Sequence, residues 1–167
     1  MFDIKQFIPQ DFCLNCKGCC RFSEKESIWQ PSLLNEEVKV ITKDNTGGQE
    51  AVLASYRIKS LPLEDYYICS FLDAENNHCK IYRMRPFECR LYPFLINKAG
   101  NATYLSVDLR CPFITDKLEK KEFKGYINYL ISFLSLPVVA FAIKQSPHTF
   151  VDYSKEENLR NLATLVF

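Results

Sequence analysis

The sequence "CLNCKGCC" places four cysteines within eight positions, at Cys13, Cys16, Cys19 and Cys20. In Cys13-x2-Cys16, the two intervening residues let a tight turn direct both sulfurs at one metal, and Cys16-x2-Cys19 repeats the spacing. Gly18 permits a left-handed turn where the backbone passes close to such a site. Adjacent Cys19 and Cys20 fit poorly into one tetrahedron, so one of them is expected to serve a second site or another face of a cluster.

Four further cysteines follow at wider intervals, and the eight divide naturally into two four-sulfur sites. The N-terminal "MFDIKQFIPQDF" lacks a basic start followed by an apolar run, so we expect a cytoplasmic location and not a secretory signal. In a reducing compartment, clustered cysteines hold metal more often than they form disulfides. We therefore predict that metal is bound by the remaining cysteines as well, Cys69, Cys79, Cys89 and Cys111.

The spacing bears on which metal is bound. The run Cys13-x2-Cys16-x2-Cys19 matches the first three ligands of the bacterial ferredoxin pattern, whose fourth ligand is a cysteine followed by proline. Cys111-Pro112 could supply that ligand from a distance. This favours a 4Fe–4S cluster. Zinc sites built from four cysteines use the same C-x2-C turn, and Zn²⁺ stays the alternative.

Composition limits the class of protein. With 167 residues, 47% of them hydrophobic, the chain is long enough for a core, and its formal charge of +1 argues against a nucleic-acid binder. Residues 126–143 carry no charged side chain over a length that could just span a membrane. Pro137 interrupts this stretch, and proline prefers the first turn of a helix. We therefore expect two buried helical segments and no membrane attachment.

The pattern along the chain predicts an α+β fold: a small metal-centred domain of short hairpins and turns packed among helices, with a helical C-terminal part. We expect a cysteine-cluster domain over 1–113 and a helical extension packed on it over 114–167. Cys69 and Cys79 are expected near facing ends of a hairpin around "DAENNH". The other predicted elements are helices over 34–43 and 50–60, a loop over 43–49, a helical turn over 85–93, a hairpin turning at Gly100 and Asn101, and a last helix that begins at Ser154.

Arginines adjoin the cysteines. Arg90 follows Cys89, and Arg110 precedes Cys111. Four thiolates around Zn²⁺, or around an oxidised 4Fe–4S core, leave a net negative charge that nearby guanidinium groups would offset. We predict this role for Arg90 and Arg110, the alternative being pairing with surface carboxylates or cover for apolar surface. Three weaker candidates are Arg21, Arg83 and Arg85.

The segments "CLNCKGCC", "CSFL" and "CKIYRMRPFECRLYPF", followed by a later cysteine, resemble the CxxCxxCC family, also called the YkgJ-like zinc- or iron-chelating domain. The resemblance covers about residues 13–113 and matches all eight cysteines. It implies a metal-chelating domain. Flagellin lysine methylases are similar to this family and carry a comparable cluster with iron–sulfur involvement in methyl transfer. The resemblance therefore implies redox or methyl-transfer-like catalysis as one expectation, without naming a catalytic residue.

Competing roles stay open at this point. A closed structural centre, an electron carrier and an enzyme all use cysteine-ligated metal, and the chain has no dinucleotide-binding, P-loop or nucleophile-elbow motif to decide between them. The alternative of a different class is a zinc-stabilised accessory module without catalysis. In that case the apolar C-terminal helices would bind a protein partner.

Overall fold

The computed structural model describes residues 2–16, 18–43 and 48–167, which divide into two compact units. Residues 8–89 form the first unit, and residues 2–7 join residues 90–167 in the second. The predicted boundary after residue 113 stays a prediction. Most of the predicted loop over 43–49 lies outside the described residues.

The first unit is built from short elements. β1, β3 and β2 form an antiparallel sheet in that order, and β4 pairs with β5. A 3-10 helix, Tyr82–Met84, precedes the last helix. The elements in chain order are α1 (Gln10–Asn15), β1 (Arg21–Phe22), α2 (Asn35–Lys43), α3 (Gly48–Ala51), β2 (Ser60–Leu63), β3 (Tyr66–Cys69), β4 (Leu72–Asp73), β5 (His78–Cys79) and α4 (Phe87–Leu91).

A continuous apolar core holds these short elements together, because two-stranded pieces of this length are marginal in water by themselves. Each fully buried aliphatic side chain contributes about 1.5–3 kcal/mol through burial. The buried members of this core are Phe22, Leu33, Ile41, Ala51, Ile58, Ile68, Cys69, Phe71, Leu72 and Ile81. Cys69 thus belongs to the core as well as to the set of cysteines.

The predicted helix over 50–60 is wrong. The helix α3 ends at Ala51, and the chain then reverses direction, with the Leu53 N–H donating to the Arg57 carbonyl at 2.9 Å. Tyr56 takes a left-handed conformation (φ 61°), which ends any helix. Pro62 lies within β2, an edge strand, where a missing N–H is tolerated.

The hairpin predicted around "DAENNH" is confirmed in a shorter form. Leu72 pairs with Cys79 across β4 and β5. The expectation that Cys69 faces Cys79 in this hairpin is wrong, because Cys69 ends β3 and pairs with Ser60 of β2. The apolar run "YYICSFL" contains two strands, because the chain turns between β3 and β4.

The predicted helical turn over 85–93 and the next hairpin are both confirmed. Pro86 precedes α4, and Pro93 follows it. In the second unit, β6 (Phe94–Ala99) and β7 (Ala102–Asp108) form an antiparallel pair. Gly100 takes φ +58° at their turn, a conformation that glycine adopts without strain.

The second unit combines this hairpin with three α-helices, a 3-10 helix (Pro147–Thr149) and a third strand. The helices are α5 (Pro112–Thr115), α6 (Lys121–Leu134) and α7 (Pro137–Lys144), and the strand is β8 (Leu159–Leu165). The rings of Phe7, Phe94, Phe123 and Tyr126 contact one another in the core, with the Phe94 and Phe123 centroids 5.7 Å apart. These helices and small sheets confirm the α+β prediction.

The predicted last helix is wrong, because residues 159–165 form β8 against β7. Leu159, Leu162 and Leu165 recur at a spacing that is compatible with a helix, and Ser154 with Glu157 resembles a capping box. Pairing with the preformed edge of β7 outweighs this weak local preference. β8 therefore completes a three-stranded sheet in the order β6-β7-β8.

The break near Pro137 is confirmed, since α6 and α7 meet there at 72°. The prediction that both segments are buried is wrong for one face of α7. Val139 is 1% exposed, whereas Val138 and Phe141 are each 63% exposed. Among the described residues, no single helix has the length and apolar character to cross a membrane. The bent pair α6 and α7 has sufficient length and apolar composition only when the two helices are taken together.

Candidate metal centre

The first unit brings seven of the eight predicted ligand cysteines together. Their thiols act on one another electrostatically, although they come from four separate stretches of chain. All eight cysteines of the chain are free thiols. The seven are Cys13, Cys16, Cys19, Cys20, Cys69, Cys79 and Cys89.

The first two cysteines are positioned by the end of α1. The Cys13 N–H donates to the Pro9 carbonyl at 3.1 Å, and the Cys16 N–H donates to the Phe12 carbonyl at 3.0 Å as the helix ends. A Cβ atom placed on Gly18 would lie 3.4 Å from the Cys16 Sγ. That distance is an ordinary van der Waals contact, and Gly18 does not take the left-handed conformation that the sequence suggested, so this site does not require glycine there.

Cys19 and Cys20 hydrogen-bond to each other through their thiols. This contact raises the pKa of Cys19, and it lowers the pKa of Cys20 to about 7, with Arg21 and Arg85 contributing in the same direction. Burial opposes the shift at Cys20. A thiol with a pKa near 7 is about half ionised at neutral pH, and the thiolate is the form that ligates metal.

Backbone N–H groups are directed at two further sulfurs. Burial raises the pKa of Cys69 to about 12, while N–H donors from Phe71 and Leu72 lower it. Burial likewise raises the pKa of Cys79, and the N–H of Ile81 opposes that effect. Hydrogen bonds of this kind stabilise the charged thiolate, and they tune the potential of sulfur-ligated clusters.

The chemistry of this donor set fits a soft metal cation. Burial is the main cause of the raised pKa of Cys89, and the neighbouring thiols of Cys69, Cys20 and Cys79 raise it further. A bound cation reverses both effects, because it stabilises the deprotonated sulfurs that crowding disfavours. Within the described part of the chain, no three His, Cys, Asp or Glu side chains are already placed around one point as metal ligands.

Asn77 joins the β4–β5 hairpin to the N-terminal cysteine loop. Its Nδ2 donates to the carbonyls of Leu14 at 2.7 Å and Cys16 at 3.0 Å, and its Oδ1 accepts a hydrogen bond from Arg21 at 2.9 Å. Asn77 takes φ 54°, which asparagine tolerates better than most residues. The side chain therefore fixes the relative position of two cysteine-bearing segments.

Glu88 positions the helix that carries Cys89. Its Oε2 accepts a hydrogen bond from the Ser32 N–H at 2.7 Å. Burial raises the pKa of Glu88 to about 8, while the Ser32 N–H and the charge of Arg57 lower it. This contact connects α4 to the chain segment that precedes α2.

The remaining predicted site residues lie in the second unit. Cys111 is buried, and its carbonyl accepts the Ile114 N–H at 3.0 Å at the start of α5. The Arg90 guanidinium donates to the Phe2 carbonyl, and Arg110 makes an ion pair with Asp108 at 3.0 Å. The proposed roles of Cys111, Arg90 and Arg110 beside a metal stay predictions.

Sequence reasoning missed Asn77 at this site and gave too little weight to Arg85. Arg85, a weaker candidate among the arginines, donates a hydrogen bond to the Cys13 thiol. Asn77 lies in the polar "DAENNH" turn, where its residue type was the only available signal. Both residues hydrogen-bond to cysteines that are distant in sequence, and contacts of this kind cannot be recognised from a local sequence pattern.

The site is thus a dense cluster of free thiols in a small α+β unit. A protein-family model matches residues 12–112, more than half of the chain, and its description reads "Putative zinc- or iron-chelating domain". The chain belongs to this family, CxxCxxCC, as its cysteine pattern predicted. Neither a curated protein nor a solved structure matches the chain.

Proposed function

We propose that this protein binds an iron–sulfur centre of the 4Fe–4S type through cysteine thiolates. The observation that carries the proposal is the convergence of seven thiols within one unit of a chelating-domain family member. The ferredoxin-like spacing of Cys13, Cys16 and Cys19 favours iron over zinc. Family membership supports the binding of either metal.

The proposed ligand set contains all eight cysteines, including Cys111 of the second unit. Cys20, with a pKa of about 7, is the member most readily ionised at neutral pH. Cys69 and Cys79 receive backbone N–H donors that favour the thiolate form. When bound, the centre would supply electron storage or a Lewis acid, and the chain's own residues hold the sulfurs and balance their charge.

A redox or methyl-transfer-like reaction at this centre follows only from the family resemblance. Such a reaction needs an open ligand position beside a pocket, whereas an electron carrier needs a cluster close to the surface. Cys19 is the exposed member of the cluster. Its thiol is nevertheless desolvated by burial, so the exposed part of the residue does not by itself favour one of these roles.

Anaerobic purification, followed by iron, zinc and acid-labile sulfide analysis, tests the proposal. We expect iron and sulfide in comparable amounts and a broad visible absorption that bleaches with dithionite. Stoichiometric zinc in a colourless protein would contradict the iron–sulfur assignment. Protein that holds neither metal after anaerobic purification and reconstitution would contradict metal binding itself.

The zinc result would support a second candidate, a zinc-stabilised interaction module without catalysis. The observation that favours it is the exposed apolar surface at α7, formed by Val138 and Phe141 of the helix and by Leu136 immediately before it. Exposed large apolar side chains that lie close together are typical of interaction surfaces. Metal analysis separates the two candidates, because the module has no need of a redox-active cluster.

A further inference from the structure

Arg85 has a fixed orientation in the first unit. Its Nε donates to the Tyr82 carbonyl at 3.2 Å, so the side chain folds back over the 3-10 helix that precedes it. The guanidinium carbon lies 3.8 Å from the centroid of the Tyr82 ring. Stacking of a guanidinium on an aromatic face stabilises one orientation of a side chain that is otherwise mobile.

This orientation directs the guanidinium at the cysteines. Arg85 donates a hydrogen bond to the thiol of Cys13, which lies more than seventy residues away along the chain. Its charge also acts on Cys20, Cys79 and Cys89, which come from three different segments. The same cation therefore reaches every segment that supplies a thiol, apart from β3.

We propose that Arg85 is the charge-compensating and positioning residue of the metal centre, held by Tyr82 and donating to the sulfur of Cys13. The inference rests on the proposed function, since it assigns a role beside the cysteine-bound metal. Four thiolates around Zn²⁺ or an oxidised 4Fe–4S core leave a net negative charge in a partly buried site. A guanidinium offsets that charge, and its hydrogen bond stabilises the thiolate directly.

A purely structural role would differ in its consequences. In that case the stem of Arg85 would only cover the Tyr82 ring and nearby apolar surface. Loss of the side chain would lower the stability of the protein without changing the electronic properties of the bound metal. The two roles are thus separated by spectroscopy on the metal-loaded protein.

The test uses metal-free full-length protein, loaded anaerobically with Co²⁺ as a spectroscopic probe and with Zn²⁺ for affinity. The variants are Arg85→Gln, which removes the charge, and Arg85→Lys, which keeps the charge but not the planar fork. Arg83→Gln is the matched control, because Arg83 is an exposed arginine in the 3-10 helix that directly precedes Arg85. Competition with a chromogenic chelator measures the Zn²⁺ affinity.

We expect Arg85→Gln to weaken Zn²⁺ binding by about 10–100-fold, as is usual for residues that hydrogen-bond to metal ligands. Arg85→Lys should lose less, and Arg83→Gln should stay within about twofold of the unsubstituted protein. The sulfur-to-cobalt charge-transfer band should move to lower energy in Arg85→Gln, because a thiolate without its hydrogen bond gives up electron density more easily. If Arg85→Gln does not fold, Arg85→Met decides the question by the same shift, because its uncharged stem can still cover the Tyr82 ring.

Equal affinity and equal band energy in Arg85→Gln and Arg83→Gln would overturn the assignment of Arg85. An unshifted band in Arg85→Met would do the same if Arg85→Gln does not fold. Failure of cysteine ligation, on which the proposed function depends, gives a different result: the unsubstituted protein would then show no sulfur-to-cobalt band at all.

Discussion

The Glu37 carboxylate accepts a hydrogen bond from the backbone N–H of Phe87 at 2.8 Å, through Oε1. Its Oε2 accepts the Leu34 N–H at 3.0 Å, so one buried side chain serves both the start of α2 and the start of α4. Phe87 is two residues before Cys89. The contact therefore connects a helix without cysteines to the helix that presents the last thiol of the cluster.

Glu37→Gln should lower the free energy of unfolding by about 1.5–3 kcal/mol, the usual worth of hydrogen bonds to a charged group. The amide can accept only through one end, so one of the two backbone donors loses its partner. Urea denaturation of the metal-loaded protein measures the change. Glu36→Gln is the control, since Glu36 is the neighbouring exposed carboxylate on the same helix. Equal stability of the two variants would contradict the role given to Glu37.

Asn77→Gly should loosen the N-terminal cysteine loop, because both hydrogen bonds to Leu14 and Cys16 are lost while the left-handed backbone is kept. We expect a stability loss of about 1–3 kcal/mol and faster alkylation of Cys16 in metal-free protein. Glu75→Gly is the control, because it introduces the same flexible residue at an exposed position of the same turn. Unchanged alkylation of Cys16 relative to that control would rule out the positioning role of Asn77.

Neighbouring valines on α7 test the orientation of that helix. Val139→Ala should cost about 1.5–3 kcal/mol, since Val139 is 1% exposed and its methyl groups pack in the second unit. Val138→Ala should change stability by less than about 0.5 kcal/mol, because that side chain is 63% exposed. Thermal or urea unfolding gives both values. A larger loss for Val138→Ala would mean that α7 is rotated or that another molecule covers this face.

The sequence correctly predicted those element boundaries that are set by the backbone preferences of a single proline or glycine. Pro86 and Pro93 bracket α4, Gly100 sets the turn between β6 and β7, and Pro137 separates α6 from α7. Each of these residues restricts or permits backbone conformations by its own covalent structure. The predictions based on them did not need any tertiary contact.

Other features depend on partners that are distant in the chain. The strand β8 forms because β7 offers an unpaired edge, although Leu159, Leu162 and Leu165 fit a helical spacing. Glu37 and Arg85 contact segments that are far away along the chain, and such contacts produce no periodic pattern in the sequence. The cysteines themselves were predictable as a set, because their residue type and spacing are rare enough to indicate shared chemistry.

Metal binding should be coupled to folding of the first unit, because β1 to β5 are short strands that gain stability from cross-links between them. Cys89→Ser should therefore destabilise residues 66–89 and not merely lower metal content. Hydrogen exchange on metal-free protein provides the measurement, with α6 of the second unit as the internal reference. Protection of residues 66–89 that survives complete metal removal would show that this fold forms without metal.

The most direct test of the central claim is the reactivity of the thiols themselves. Native protein, purified without oxygen, is treated with an alkylating reagent with and without a strong chelator, and mass spectrometry reports the modified positions. We predict that most of the eight cysteines, including Cys20 with its pKa of about 7, react only after the metal is removed. Rapid alkylation of most of them without chelator, with Cys20 modified first because its pKa is about 7, would contradict metal ligation by the cluster.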